Sequence, residues 1–307
     1  MRTGRGAFKS MMGAASLALA LVMLPVGGVA NSAMAGSRTQ AGGGMHARHG
    51  GGAVLRVAKG SGGSTSKTNQ SNNWSGYNQG LLEKGHAFNA ITGDWVVPKA
   101  SPHKSGEQEF SATWVGIGGG CIDAGCVVTD STLIQAGTEQ DIVATCNGLL
   151  GTGSKCTYKP QYSAWFELIP APSLTVNLPV TAGNRIHVDI HELVPNSELW
   201  SITILNRSTG QSFQQTVPYT SSHATAEWIE ETPVVCCPAQ VGPLPNLGKV
   251  TFDPGTANGG NPQLVSSEEI QLVDFSGKIL ATPSAPDSDR DGFNDCTYAT
   301  SCLPPPS

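Results

Sequence analysis

Arg185-Ile186-His187-Val188-Asp189-Ile190-His191 alternates polar and aliphatic side chains without a break. Successive side chains of an extended chain point to opposite faces, so Ile186, Val188 and Ile190 form a core row and Arg185, His187, Asp189 and His191 a polar one. The stretch is therefore a half-buried β-strand. Trp200, Ile202 and Ile204 read as the core face of a neighbouring strand. Further short apolar runs at 90–97, 111–117, 133–136, 162–168, 212–217, 224–231, 249–252 and 269–275 are separated by turn residues, which is the spacing of an all-β domain. No helix of ten or more residues is expected, and no internal repeat that would make a propeller. Two His and an Asp on one strand face have metal-ligand chemistry, but a solvated outer face is the simpler reading of 185–191.

Composition agrees with this class. Gly 38 and Pro 20 make up about a fifth of the 307 residues, and charged residues are only 13 %, against about 25 % in an average globular protein. Eighteen Lys+Arg against twenty-three Asp+Glu give a formal charge of -5 with no basic stripe. That excludes coiled coils and nucleic-acid binding. At 39 % hydrophobic residues the chain can bury the core of one large sandwich or barrel.

The first 35 residues stand apart. Arg2, Arg5 and Lys9 precede an apolar run at 11–26, and Ala33-Met34-Ala35 is a small-x-small cleavage site. These are the parts of a secretory signal peptide, so the protein is expected outside the cell; the run is short for a membrane span. Residues 36–70 are Gly, Ser, Thr and basic residues with few large apolar side chains, hence a disordered linker or a propeptide. Its basic side chains include His46, Arg48, His49 and Arg56. The folded domain is expected over 71–307. In an exported chain, eight cysteines placed as Cys121/Cys126, Cys146/Cys156, Cys236-Cys237 and Cys296/Cys302 indicate disulfides, three of them stapling short loops. No CxxC or zinc-finger His spacing is present, so no structural metal is expected.

The common hydrolase signatures HExxH, GxSxG and Asp-Thr-Gly are missing, which leaves polar groups set into strands. Gln135 lies on the same face as Leu133. In Ala226-Glu227-Trp228-Ile229-Glu230-Glu231, alternation places Glu227, Ile229 and Glu231 on one face and Trp228 and Glu230 on the other. A carboxyl and a carboxamide side by side on a sheet can move a proton to and from water while the amide N–H supports an oxyanion. Near the C-terminus, Asp287-Ser288-Asp289-Arg290-Asp291-Gly292 has the alternating acids of a Ca²⁺ loop, but loop position twelve is Tyr298 instead of Glu.

Asn73-Trp74-Ser75-Gly76, Trp114-Val115-Gly116-Ile117, Leu133-Ile134-Gln135-Ala136-Gly137, Tyr162-Ser163-Ala164-Trp165-Phe166-Glu167 and the Glu227–Glu231 block occur in one order over nearly the whole domain. Together they resemble the glutamic peptidases, or eqolisins. The resemblance implies a concanavalin-like sandwich of two large antiparallel sheets. It also implies a monomeric acid endopeptidase acting on proteins or peptides, without metal or cofactor and insensitive to pepstatin. Carried over residue by residue, it makes Gln135 and Glu231 the catalytic pair, Glu231 being five residues after Ala226 and opposite in parity to Glu230. Glu231 would take a proton from water and return it to the leaving amine, with Gln135 holding the oxyanion. Trp114, Trp165 and Glu167 match groove residues. Gly118-Gly119 and Glu139 stand where fungal members often carry Asp, and in this reading an Asp-Gly turn at 291–292 merely introduces a last strand at 293–300. The competing readings are a carbohydrate-binding sandwich, with Trp114, Trp165 and Trp228 stacking on sugars, and a glycoside hydrolase using two carboxylates.

Overall fold

The computed structural model describes residues 68–147, 155–235 and 239–306. The expected signal peptide, most of the 36–70 segment and Cys236-Cys237 lie outside the described residues. The strands are, in chain order, β1 (Asn69–Ser71), β2 (Trp74–Gly80), β3 (Ala90–Val96), β4 (Ala112–Gly118), β5 (Leu133–Asn147), β6 (Lys155–Leu168), β7 (Leu174–Val176), β8 (Arg185–Glu192) and β9 (Leu199–Asn206). They continue with β10 (Gln211–Pro218), β11 (Thr225–Glu231), β12 (Val234–Val235), β13 (Gln240–Val241), β14 (Lys249–Ala257), β15 (Glu269–Val273), β16 (Ile279–Pro283) and β17 (Phe293–Thr297). Among the described residues, helix is limited to one turn, α1 (Leu81–Lys84), and a 3₁₀ turn at Ser266–Glu268. No described helix is long and apolar enough to cross a membrane.

Hydrogen bonds join the strands into one path, β10-β9-β8-β3-β14-β17-β16-β15-β2-β11-β4-β5-β6-β7, with β1 alongside β15 and a separate β12-β13 pair. Pairing is antiparallel except at β1–β15. The all-β antiparallel class read from the sequence is thus present, carried by one continuous network. The core gathers Ile186, Val188 and Ile190 of β8 and Trp200, Ile202 and Ile204 of β9 with Val115 and Ile117 of β4, Ile134 and Ala136 of β5 and Phe166 of β6. The polar row of β8 faces outward as expected, with His187 Nδ1 2.7 Å from Asp94 and His191 Nδ1 2.6 Å from Asp189.

Three differences from the sequence reading have physical causes. The β5–β6 hairpin runs far beyond 133–136 and 162–168, because its outer half is largely polar and carries little apolar alternation to read, although Ile142 also bridges to Glu109. Its tip is closed by Cys146–Cys156, whose residues are register partners. Strand β2, Trp-Ser-Gly-Tyr-Asn-Gln-Gly, is buried on both faces and so shows no alternation to read. Regular pairing also begins at Asn69, slightly before the expected domain start. Cys121–Cys126 and Cys296–Cys302 bridge their own loops as expected.

Candidate active site

β4 lies between β11 and β5, and the register of these strands with β6 fixes which side chains meet. Glu227 is paired with Gly116, Gly116 with Gln135, and Gln135 with Glu167. Register partners present side chains to the same face, so Glu227, Gln135 and Glu167 form one lateral row with a single gap at Gly116. Strands are about 4.8 Å apart, which sets the Gln135 and Glu227 backbones roughly 10 Å apart. A Cβ on Gly116 would lie 2.9 Å from Leu133 Cδ1, 3.0 Å from Ile134 O and 3.0 Å from Trp114 Cζ3. The glycine therefore gives its space to the Leu133 and Trp114 side chains.

The next row along the same face is Ile229, Trp114, Gly137 and Trp165. A Cβ on Gly137 would sit 2.6 Å from Trp114 Cβ, so this second glycine makes room for the indole. The third row is Trp74, Glu231, Ala112, Glu139 and Ser163. Glu231 is thus four residues along the strand from Glu227, about 13 Å further at about 3.4 Å per residue. Gln135 pairs directly with Glu167, and Glu227 and Glu231 both share its face. Glu231 Oε2 accepts the Trp114 indole N–H at 2.8 Å and its Oε1 the Asn73 amide at 3.5 Å. Trp74 packs edge-on against Trp114, with ring centroids 5.0 Å apart.

The first row has the electrostatics of a reactive site. Gln135 Nε2 donates to Glu167 Oε2 at 2.7 Å, which orients the amide, while Gln135 Oε1 has no partner among the described residues. Glu227 is fully buried and neither carboxyl oxygen makes a hydrogen bond among the described residues. Burial pushes its pKa well above the usual carboxylate range; the Thr225 hydroxyl opposes this and the charge of Asp130 adds to it. A glycine-rich turn packs beside it. Gly118 and Gly119 have φ of 91° and 86°, the left-handed region that favours glycine, and a Cβ on Gly120 would come 2.5 Å from Glu227 Oε1. Asn78 clamps the turn, donating to Cys121 O at 2.8 Å and accepting from Cys121 N at 2.7 Å. Sequence parity put Glu227 on this face, but only register reveals its proximity to Gln135.

The opposite face of β11 holds Trp228 and Glu230. Trp228 donates its indole N–H to Thr92 O at 2.8 Å, so it does not share a surface with Trp114 and Trp165, and the three-indole platform of a sugar-binding face does not form. Glu230 accepts from the Thr113 hydroxyl at 2.6 Å. Burial raises its pKa strongly, and Asp295 and Glu231 add repulsion.

Comparison with known proteins follows the same lines. A family model described as the peptidase A4 family matches residues 72–290. No curated protein matches. Among solved structures, scytalido-glutamic peptidase with a transition state analog inhibitor aligns at a TM-score of 0.54 and 18 % identity, over 74 % of this chain and 98 % of that one. The same enzyme with a peptide-based transition state analog gives the same values. At this identity the likeness is one of fold.

Proposed function

The chain belongs to the peptidase A4 family, the glutamic endopeptidases, and from that premise we propose that Gln135 and Glu231 hydrolyse peptide bonds in acid, with Glu167 holding Gln135 in place. The observation that carries this is a pair of buried hydrogen bonds on one sheet face, Gln135 Nε2 to Glu167 at 2.7 Å and the Trp114 indole N–H to Glu231 at 2.8 Å. Proteins or peptides are the substrates of this family, and Trp114 and Trp165 are proposed to flank the bound chain. The strand path is read as the two-sheet sandwich of the resemblance. Secretion, removal of residues 36–70, the acid optimum and pepstatin insensitivity belong to the same proposal.

Ionised Glu231 takes a proton from the attacking water as the new C–O bond forms. Gln135 Oε1 accepts from that water, and the Nε2 hydrogen not used by Glu167 donates to the carbonyl oxygen as it becomes the oxyanion of the tetrahedral intermediate. The protonated Glu231 then gives its proton to the amide nitrogen as the C–N bond breaks and the oxyanion re-forms the carbonyl. Such positioned transfer and oxyanion support are each worth about 10²–10³-fold.

The test compares Glu231→Gln and Glu227→Gln on denatured protein at about pH 3–4. Glu231→Gln is expected to abolish turnover, whereas Glu227→Gln changes stability with kcat largely kept. Turnover intact in Glu231→Gln, with loss in Glu227→Gln, would move the assignment to Glu227.

A further inference from the structure

A second cluster of carboxylates lies away from this row, where the turn before β17 meets β14. Asp253, Asp287 and Asp291 each direct one oxygen to a common point, and these oxygens all lie within 4.8 Å of one another. Oxygens on opposite sides of a Ca²⁺ ion, bound at about 2.3–2.6 Å, are about 4.6–5.2 Å apart. The three acids therefore fit around one such ion.

Asp287 shows that the cluster is more than a patch of surface charge. It is 6 % exposed, and its two oxygens have separate tasks. Oδ1 accepts the backbone N–H groups of Arg290, Asp291 and Gly292 at 2.8, 3.2 and 3.3 Å, which winds the turn around it. Oδ2 is buried, has no partner among the described residues, and faces the cluster. Glycine at 292 permits this: a Cβ there would come 2.6 Å from Asp287 Oδ2 and 2.9 Å from Asp253 Cβ. Asp291 Oδ1 is likewise buried and unpartnered among the described residues.

Among the described residues, no neighbouring basic side chain pairs with the group. The Arg290 side chain turns to the Leu264 and Gln263 carbonyls at 3.1 and 3.0 Å, and nearby Asp94 is already paired with Arg207 at 3.0 Å. Burying carboxylates without a counter-charge is costly, and a hard divalent cation supplies one through oxygen ligands alone. The irregular, partly open setting, with Asp253 exposed at its rim, leaves room for waters to complete six to eight ligands, as Ca²⁺ accepts and Mg²⁺ does not.

We propose that Asp253, Asp287 and Asp291 bind one calcium ion that ties the β17 turn to β14. The linear Asp-x-Asp-x-Asp-Gly pattern pointed to this turn, but the ligand set spans two segments, with Asp253 joining Asp287 and Asp291. The test uses the chelator-treated full-length protein at pH 7. Titration with CaCl₂ is expected to release heat at one ion per chain and to raise Tm by several degrees, with MgCl₂ at least tenfold weaker. Asp287→Asn and Asp291→Asn should each weaken Ca²⁺ binding at least tenfold. Should those variants not fold, Tb³⁺ luminescence of the parent, sensitised by Trp228 beside Gly255 and displaced by Ca²⁺, gives the same reading. No heat and no thermal shift at 10 mM CaCl₂ (~10 mM, far above sensor affinities), or binding undiminished in both variants, overturns the proposal. None of these readouts depends on peptidase activity.

Discussion

Raising the pH is expected to weaken the fold from its interior, and Asp295 sets the size of the effect. Its carboxyl on β17 is 1 % exposed and neither oxygen has a hydrogen-bond partner among the described residues. Burial pushes its pKa from 3.8 up to about 7, against weaker opposition from Ser75 and the Cys296 N–H. A group whose folded pKa is raised holds its proton in the native state after the unfolded chain has released it. Stability is then fully present below about pH 4 and is lost as pH rises towards 7. At about 1.4 kcal/mol per pH unit, Asp295 alone accounts for roughly 4 kcal/mol, a large part of the ~5–15 kcal/mol that holds a domain together. Glu230 is shifted the same way, partly by Asp295 itself. The perturbation is Asp295→Asn, assayed by guanidinium unfolding of parent and variant between pH 4 and 7.5. At pH 4 both side chains are neutral, so the difference there measures fit alone. By pH 7.5 the parent should have lost roughly 4 kcal/mol more than the variant, about 10 °C in Tm for a domain of this size. Parallel pH profiles for the two proteins would refute the reasoning.

Two further outcomes follow from the packing. Gly116→Ala should cut kcat/KM by at least tenfold (~1.4 kcal/mol in the barrier), since its Cβ would press on Leu133 Cδ1 at 2.9 Å and on Cζ3 at 3.0 Å of Trp114, the indole that bonds Glu231; kinetics on a peptide substrate check it. Replacing Cys146 and Cys156 by Ser should lower stability by at most about 2–3 kcal/mol while leaving kcat unchanged. This disulfide closes a hairpin tip whose register partners lie far from Gln135 on β5, and paired unfolding and activity measurements check it.

Much of the fold is legible because alternation survives wherever one face is buried and the other wet, as at Arg185–Glu192, whose three aliphatics are all fully buried. It fails at the two extremes. β2 is buried on both faces, so Trp74 and Tyr77 stand among Ser75, Asn78 and Gln79 with no period. The outer parts of β5 and β6, at 140–147 and 155–162, are held by backbone pairing, the Cys146–Cys156 disulfide and the single buried Ile142, too little to make a hydrophobic pattern. The cysteine spacings, by contrast, gave Cys121–Cys126, Cys146–Cys156 and Cys296–Cys302 directly.

The site was legible in its faces but not in its neighbours. Parity assigns Glu227 and Glu231 to one face equally, because four residues is an even step. The resemblance selects Glu231, and what the residues alone could not show is how that carboxylate and Gln135 are held, because β11 is far along the chain from β4 and β5. The clue that was available is Gly116. In a strand otherwise made of Trp114, Val115 and Ile117, a glycine weakens pairing and packing unless another group needs its space. Here Leu133 and Trp114 take that space. Trp114 in turn donates to Glu231, and Gln135 donates to Glu167, so each member of the proposed pair is oriented by a neighbour on the same face. A carboxylate has about four lone-pair sites and a carboxamide two N–H groups, so one orienting bond to each leaves others for water and for an oxyanion. The orienting bonds therefore fix the pair in place without using up its chemistry.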